Sequence, residues 1–84
     1  MQILIFRPNI HWRHIGGAII VIARDIRQAQ TLTNAYERQR GWDSRSMLVP
    51  ADPADDRDCW VLQEAFPAPS GETARVVLYN MNDG

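Results

Sequence analysis

The segment "NIHWRHIGG", residues 9–17, contains both histidines of the chain, separated by a tryptophan and an arginine. His11 and His14 could act as general acid and base, with Arg13 stabilising phosphate charge, which is the chemistry of a metal-free nuclease. The alternative is a recognition tip, because tryptophan and arginine are the residue types most enriched at binding hot spots. We favour the tip and expect His11, Trp12, Arg13 and His14 to contact a partner.

A metal site is not expected in this segment. A catalytic zinc ion needs about three protein ligands and a structural zinc ion about four. Two histidines three positions apart share a face only on a helix, and the neighbouring proline and glycine pair oppose a helix there. We therefore assign no catalytic residue, no metal and no cofactor.

Two further groups of reactive side chains have simple structural interpretations. Cys59 is the single cysteine of the chain and begins an apolar segment, where a thiol usually serves as inert packing. The segment "ADPADDRD", residues 51–58, lacks the alternating acidic positions and the glycine of a calcium-binding loop. It reads as a solvated turn, or as an acidic patch that imitates nucleic-acid phosphate or docks on a basic partner.

Arginines and aromatic residues also suggest a single-stranded nucleic-acid-binding module. Such modules stack bases on aromatic side chains beside basic residues on a sheet. Strand alternation places Arg75 and Tyr79 on one face, with Trp60 on a neighbouring strand; the other candidate aromatics are Trp12, Tyr36 and Trp42. A formal net charge of −1 counts against this function, so we keep it as the alternative.

Hydrophobic patterning predicts the order β-β-α-β-β-β for the elements that must position these residues. Short apolar runs bounded by proline and glycine predict strands over residues 1–6, 18–23, 44–49, 59–66 and 74–81. The last two are separated by a proline- and glycine-containing loop, which predicts an antiparallel hairpin.

One helix is predicted between the second and third strands. Asp25 and Gln28 form a capping-box pattern at its beginning, and Gly41 supplies a left-handed stop. Its apolar stripe consists of Ile26, Ala29, Leu32, Thr33 and Tyr36.

These elements indicate a single α+β domain over residues 1–84, with one mostly antiparallel sheet of four or five strands and one helix packed on one face. The strands carry apolar residues on both faces, whereas one helix can cover only one. Either the loops at residues 8–17 and 51–58 cover the second face, or another chain does. A homodimer through the uncovered sheet face is one possible outcome.

The run from Ile22 to Gln30, in which a two-faced apolar strand enters an alanine-bearing helix directly, resembles small phage-encoded inhibitors of the anti-CRISPR type. The resemblance covers residues 18–36 and lies in the organisation of the elements. It implies a non-enzymatic viral protein that blocks a host defence nucleoprotein complex by protein–protein occlusion. The single cysteine fits a reducing compartment, so we expect a cytoplasmic location, that of the host if the protein is phage-encoded. The longest apolar run, residues 18–23, is too short to span a bilayer, so no membrane partner is expected. Direct nucleic-acid binding stays open.

Overall fold

The computed structural model describes residues 1–9, 15–42, 46–51 and 58–83, which form one five-stranded sheet and one helix. The elements along the chain are β1 (Gln2–Pro8), β2 (Ile15–Ala23), α1 (Ile26–Gln39), β3 (Leu48–Val49), β4 (Trp60–Pro67) and β5 (Arg75–Asp83). The strand order is β3-β4-β1-β2-β5, with β3 parallel to β4 and the other neighbours antiparallel. The predicted α+β class and element order are confirmed.

The helix begins and ends where its sequence signals predict. The Asp25 side chain accepts a hydrogen bond of 2.8 Å from the Gln28 amide, which satisfies one free N–H of the first turn. A capping box predicts that the Gln28 side chain accepts a hydrogen bond from the amide of the N-cap residue, Asp25. Instead it accepts a hydrogen bond of 2.7 Å from the amide of Arg24, one residue earlier. At the other end, Gly41 adopts φ +69°, a conformation that glycine reaches without Cβ strain.

The core lies between α1 and the sheet face that it covers. Alternate residues of the two central strands point into it because side chains of a strand alternate between faces. The buried side chains of this core are Leu4, Phe6, Ile19, Val21, Ala23, Ala29, Leu48 and Trp60. The helix thus packs on one face, as the sequence predicts, and contacts mainly β2 and β5.

The second sheet face is apolar as well. Ile3 pairs with Ile22 and Ile5 pairs with Ile20, so these four side chains form two adjacent cross-strand pairs opposite the helix face. Ile22 is buried, whereas Ile3, Ile5 and Ile20 are half-buried. The apolar surplus predicted from the sequence is therefore present on this face.

The predicted hairpin between the last two strands is wrong. β4 pairs with β1 and β5 pairs with β2, so the two strands lie on opposite sides of the central pair. Three strand spacings, about 14 Å, separate β4 from β5. A tight turn cannot span this distance, whereas residues 68–74 can span it in extended form. The most apolar strands, β1 and β2, take the centre because there each gains a neighbour on both sides.

Removing the N-cap side chain of α1 tests where this helix begins. We expect Asp25→Ala to lower the free energy of unfolding by about 1 kcal/mol because it leaves the Gln28 amide without its acceptor. The control is Gln39→Ala at the exposed last residue of α1, which should change the free energy of unfolding by less than about 0.5 kcal/mol. Denaturant titration measures both, and equal effects would contradict the role of the cap.

Candidate partner-binding site

The end of α1 places a tryptophan at the surface through its backbone hydrogen bonds. The Gly41 amide donates to the Arg38 carbonyl at 3.0 Å, and the Trp42 amide donates to the Glu37 carbonyl at 3.1 Å. This pair of bonds is a Schellman motif, in which the second residue beyond the helix usually contacts an apolar residue of the last turn. Trp42 holds that position and contacts Tyr36 edge-on, with 6.2 Å between ring centroids.

Tyr79 of β5 completes the aromatic arrangement. Its ring stacks on that of Tyr36, with a centroid distance of 5.3 Å and an interplanar angle of 12°. The Trp42 ring lies 5.2 Å from the Tyr79 ring, so each of the three rings touches the other two. Such pairs stabilise by roughly 0.5–1.5 kcal/mol each beyond the area that they bury.

An arginine lies over these rings. The guanidinium carbon of Arg40 is 3.3 Å from the Tyr36 ring centroid and 6.0 Å from that of Trp42, within the range of a cation–π contact. Its Nη1 also donates to the Tyr36 carbonyl at 3.2 Å, which fixes the orientation of the side chain. Trp42 is 44% exposed, Arg40 is exposed and Tyr36 is half-buried. We call Tyr36, Arg40 and Trp42 the aromatic surface.

A buried carboxylate lies directly beneath the aromatic surface. Glu37 is only 2% exposed and accepts hydrogen bonds from the Ser46 hydroxyl at 2.9 Å and the Tyr79 hydroxyl at 2.6 Å. The Ser46 amide also donates to both carboxylate oxygens, and the Ser46 and Tyr79 hydroxyls lie 2.9 Å apart. We call Glu37, Ser46 and Tyr79 the buried polar cluster. It links the helix, the segment before β3 and the last strand.

Gln30, two helical turns before Glu37, also binds the segment that contains Ser46. Its Nε2 donates to the Ser46 carbonyl at 2.6 Å, and its Oε1 accepts from the Leu48 amide at 2.8 Å. One side chain thus satisfies two backbone groups of a segment that has only two residues of regular strand. The position of Ser46 beneath Tyr79 is therefore fixed from both Gln30 and Glu37.

The environment of Tyr79 determines the chemistry that the cluster can perform. Burial, reinforced by the hydrogen bond to Glu37, raises the pKa of Tyr79 to about 12, from an ordinary value of 10.0. A phenol with that pKa stays neutral at pH 7 and is a weak proton donor. The three side chains bond to one another, so the cluster is suited to positioning the rings above it.

The nucleic-acid surface predicted from Trp60, Arg75 and Tyr79 does not form. Trp60 is fully buried in the core beneath the helix. Arg75 pairs with Ile22 and Tyr79 pairs with Ile19, so these two side chains point to opposite faces. The prediction that they share a face is wrong because a β-bulge at Val77 adds one residue between them and reverses the alternation.

Other predicted residues lie outside the described part of the chain. These are His11, Trp12, Arg13 and His14 of the predicted recognition tip, and residues 52–57 of the acidic segment. Within the described residues, no three histidine, cysteine, aspartate or glutamate side chains come close enough together to hold a metal ion. Cys59 is buried, and its sulfur accepts a hydrogen bond of 3.6 Å from the Asn9 side chain.

Glu37, Arg40 and Ser46 were not predicted as site residues, and Trp42 was predicted only as one of the candidate aromatic residues for nucleic-acid binding. Glu37 lies four residues after Thr33 and eight after Ala29, so it shares the buried face of α1 with them. A glutamate near the end of a helix is nevertheless usually exposed to solvent, so its type predicts the opposite. Trp42 follows the glycine stop directly and lies six residues after Tyr36, which is the spacing of the Schellman contact. These two spacings were available signals, whereas nothing local in the sequence indicates Ser46.

No protein-family model matches the chain, and no similar curated protein or solved structure was found.

The buried polar cluster should depend on the charge of its carboxylate. We expect Glu37→Gln to lower the free energy of unfolding by ~1–3 kcal/mol, because a side-chain amide presents N–H groups where the site supplies donors. Glu64→Gln, at an exposed position on β4, is the matched control and should cost less than about 0.5 kcal/mol. Thermal and denaturant unfolding measure both. Equal stability of the two variants would show that the buried hydrogen bonds contribute nothing.

The raised pKa of Tyr79 predicts a loss of stability at alkaline pH. The folded chain holds the phenolic proton more tightly than the unfolded chain. The stabilisation of the fold by the protonated Tyr79 hydroxyl is therefore complete below about pH 10 and is lost as pH rises towards 12. We expect the free energy of unfolding to fall across this range more steeply for the wild type than for Tyr79→Phe. Tyr36→Phe keeps the Tyr79 phenol and should retain the steep fall; identical slopes for wild type and Tyr79→Phe would contradict the assignment.

Proposed function

We propose that this chain is a small non-enzymatic binding protein that docks on a protein partner through the aromatic surface. The observation that carries the proposal is the exposure of Trp42 within a fixed arrangement. Its ring is 44% exposed, yet contacts Tyr36 and Tyr79 and follows a hydrogen-bonded helix end. An exposed ring that is already ordered loses little conformational entropy on binding.

The composition of the surface favours a protein partner. Tryptophan, tyrosine and arginine are the residue types that contribute most at protein–protein hot spots, because each combines a large rigid area with directional donors. Here Tyr36 lies in the last turn of α1, and Arg40 and Trp42 lie within the three residues that follow the helix. Arg40 adds a positive charge suited to an acidic or carbonyl-bearing neighbour in the partner.

A binding role agrees with the chemistry of the groups beneath. The buried polar cluster contains a neutral phenol, a serine hydroxyl and a carboxylate that satisfy one another at 2.6–2.9 Å. Such a set fixes the rings in one orientation. Positioning rather than proton transfer is the role that we propose for it.

The resemblance to small phage inhibitors suggests the class of partner. A host nucleoprotein complex, occluded by direct contact in the host cytoplasm, is the target that we propose. Helix α1 has 14 residues, and no helix in the described ranges has the length and apolar character needed to cross a membrane.

Single-stranded nucleic acid is the second candidate partner. The observation that favours it is the proximity of the exposed Trp42 ring to Arg40, with Arg38 exposed in the last turn of α1. Bases stack on such rings, and binding then weakens steeply with salt because arginines displace counterions from phosphates. Binding to an aromatic protein anchor depends much less on salt, so a salt titration separates the two candidates.

Truncating the exposed ring tests the proposed surface. We expect Trp42→Ala to weaken binding to a partner purified from cell extract by at least about 2 kcal/mol, roughly 30-fold in Kd, measured by calorimetry. The control is Phe66→Ala on β4, an aromatic residue that is 46% exposed and lies away from the aromatic surface. Each variant is checked by circular dichroism for an intact fold. Equal losses in both variants, or no loss with Trp42→Ala, would rule out the aromatic surface as the anchor.

A further inference from the structure

The two edges of the sheet differ sharply in length. One edge is β3, which has two residues and is followed by Pro50, so it offers almost no backbone for pairing. The other edge is β5, which has nine residues and pairs with β2 along one side only within the described sheet. Proteins usually block a long edge strand with charges or proline, because its free N–H and C=O groups can pair with another strand.

The middle of β5 lacks these blocking residues, and its charged residues, Arg75 and Asp83, lie at its two ends. Residues 76–82, "VVLYNMN", contain no charged residue and no proline. The bulge at Val77 interrupts the first part of the strand, which leaves residues 78–83 in continuous register with β2. Leu78 is 42% exposed and Asn80 is exposed in this stretch. Within the described part of the chain, the edge therefore offers the five uncharged residues 78–82 for pairing.

We propose that β5 pairs with β5 of a second copy of this chain, antiparallel and about a two-fold axis, to form a continuous ten-stranded sheet. The axis passes through Asn80, because a two-fold axis perpendicular to the sheet places one residue of β5 opposite its own copy, and Asn80 is the middle of residues 78–82. Pairing of a strand with itself is isologous, so one interface serves both copies and closes the assembly at two. The bonds satisfy the outward-directed backbone groups of both edges at once.

The composition of this edge makes a second copy of this chain a fitting occupant. Residues 78–82 carry no charge, so two copies of the edge meet without like charges opposite each other. The helix contacts β2, β5 and β3 from one face of the sheet, and a two-fold axis perpendicular to the sheet keeps both helices on that face, one on each side of the axis. The helices therefore stay outside the plane in which the two strands pair.

This dimer goes beyond the proposed function and does not depend on it. It places two copies of the aromatic surface on one face of the joined sheet. A monomer that still loses its partner with Trp42→Ala would overturn the dimer and leave the proposed function intact. The dimer also differs from one formed through the second sheet face, where Phe66 and the paired isoleucines lie.

The test introduces one charge beside the two-fold axis. Sedimentation equilibrium of the wild-type chain, at concentrations up to ~100 µM, should show a monomer–dimer equilibrium. Asn80→Asp changes little in shape at an exposed position, but brings two carboxylates together across the axis. We expect it to raise the dimer dissociation constant at least about tenfold, because like charges on adjacent strands repel. Gln63→Glu, which also converts an amide to a carboxylate at an exposed position but on β4, should change the dimer dissociation constant by less than about twofold.

Hydrogen exchange distinguishes strand pairing from other modes of association. In the proposed dimer, alternate amides of residues 78–82 become protected as concentration rises, because they donate to the second copy. Two results would overturn the proposal. One is a wild-type chain that stays monomeric over the whole concentration range. The other is a dimer that survives Asn80→Asp, dissociates with Phe66→Lys and gains no protection in β5, which would place the interface on the second sheet face.

Discussion

The Glu37 carboxylate imposes the constraint on which the rest of the structure depends. A carboxylate that is 2% exposed must be hydrogen-bonded, because burial without partners costs several kcal/mol. Its donors come from Ser46 and Tyr79, which lie 9 and 42 positions later in the chain. The cluster is satisfied only if the segment before β3 and the last strand both reach the helix. Alternative strand orders that separate β5 from α1 would leave the carboxylate without one of its donors.

The same requirement explains why a small aromatic platform can be rigid at an exposed position. Tyr79 is held by its hydroxyl, so its ring has one orientation against which Tyr36 stacks. Trp42 is held by its backbone at the helix end. The rings are therefore ordered by polar contacts on their buried side and by backbone geometry, while the outer side of Trp42 remains accessible. The contacts that stabilise the fold and the surface that we propose for recognition therefore lie on opposite faces of the same few side chains.

Local signals in the sequence predicted the local structure, and failed where distant segments meet. The cap at Asp25, the stop at Gly41 and the apolar central strands are each determined within a few residues, and the structure contains all of them. The separation of β4 from β5 depends on competition for the central strands, which no turn motif encodes. The bulge at Val77 reverses the alternation beyond it, so a face assignment for Tyr79 cannot be read from spacing. The pairing of Glu37 with Ser46 and Tyr79 likewise has no local signature.

The placement of Tyr79 in the last strand has a consequence for the order in which the protein is assembled during synthesis. The chain leaves the ribosome from its N-terminus, so β1, β2 and α1 emerge well before β5. Until β5 docks, Tyr36 has no ring to stack against and Glu37 lacks one of its hydroxyl donors. The aromatic surface therefore matures only with the final strand. A nascent or truncated chain contains Trp42 and Arg40 but lacks the fixed arrangement that we associate with recognition.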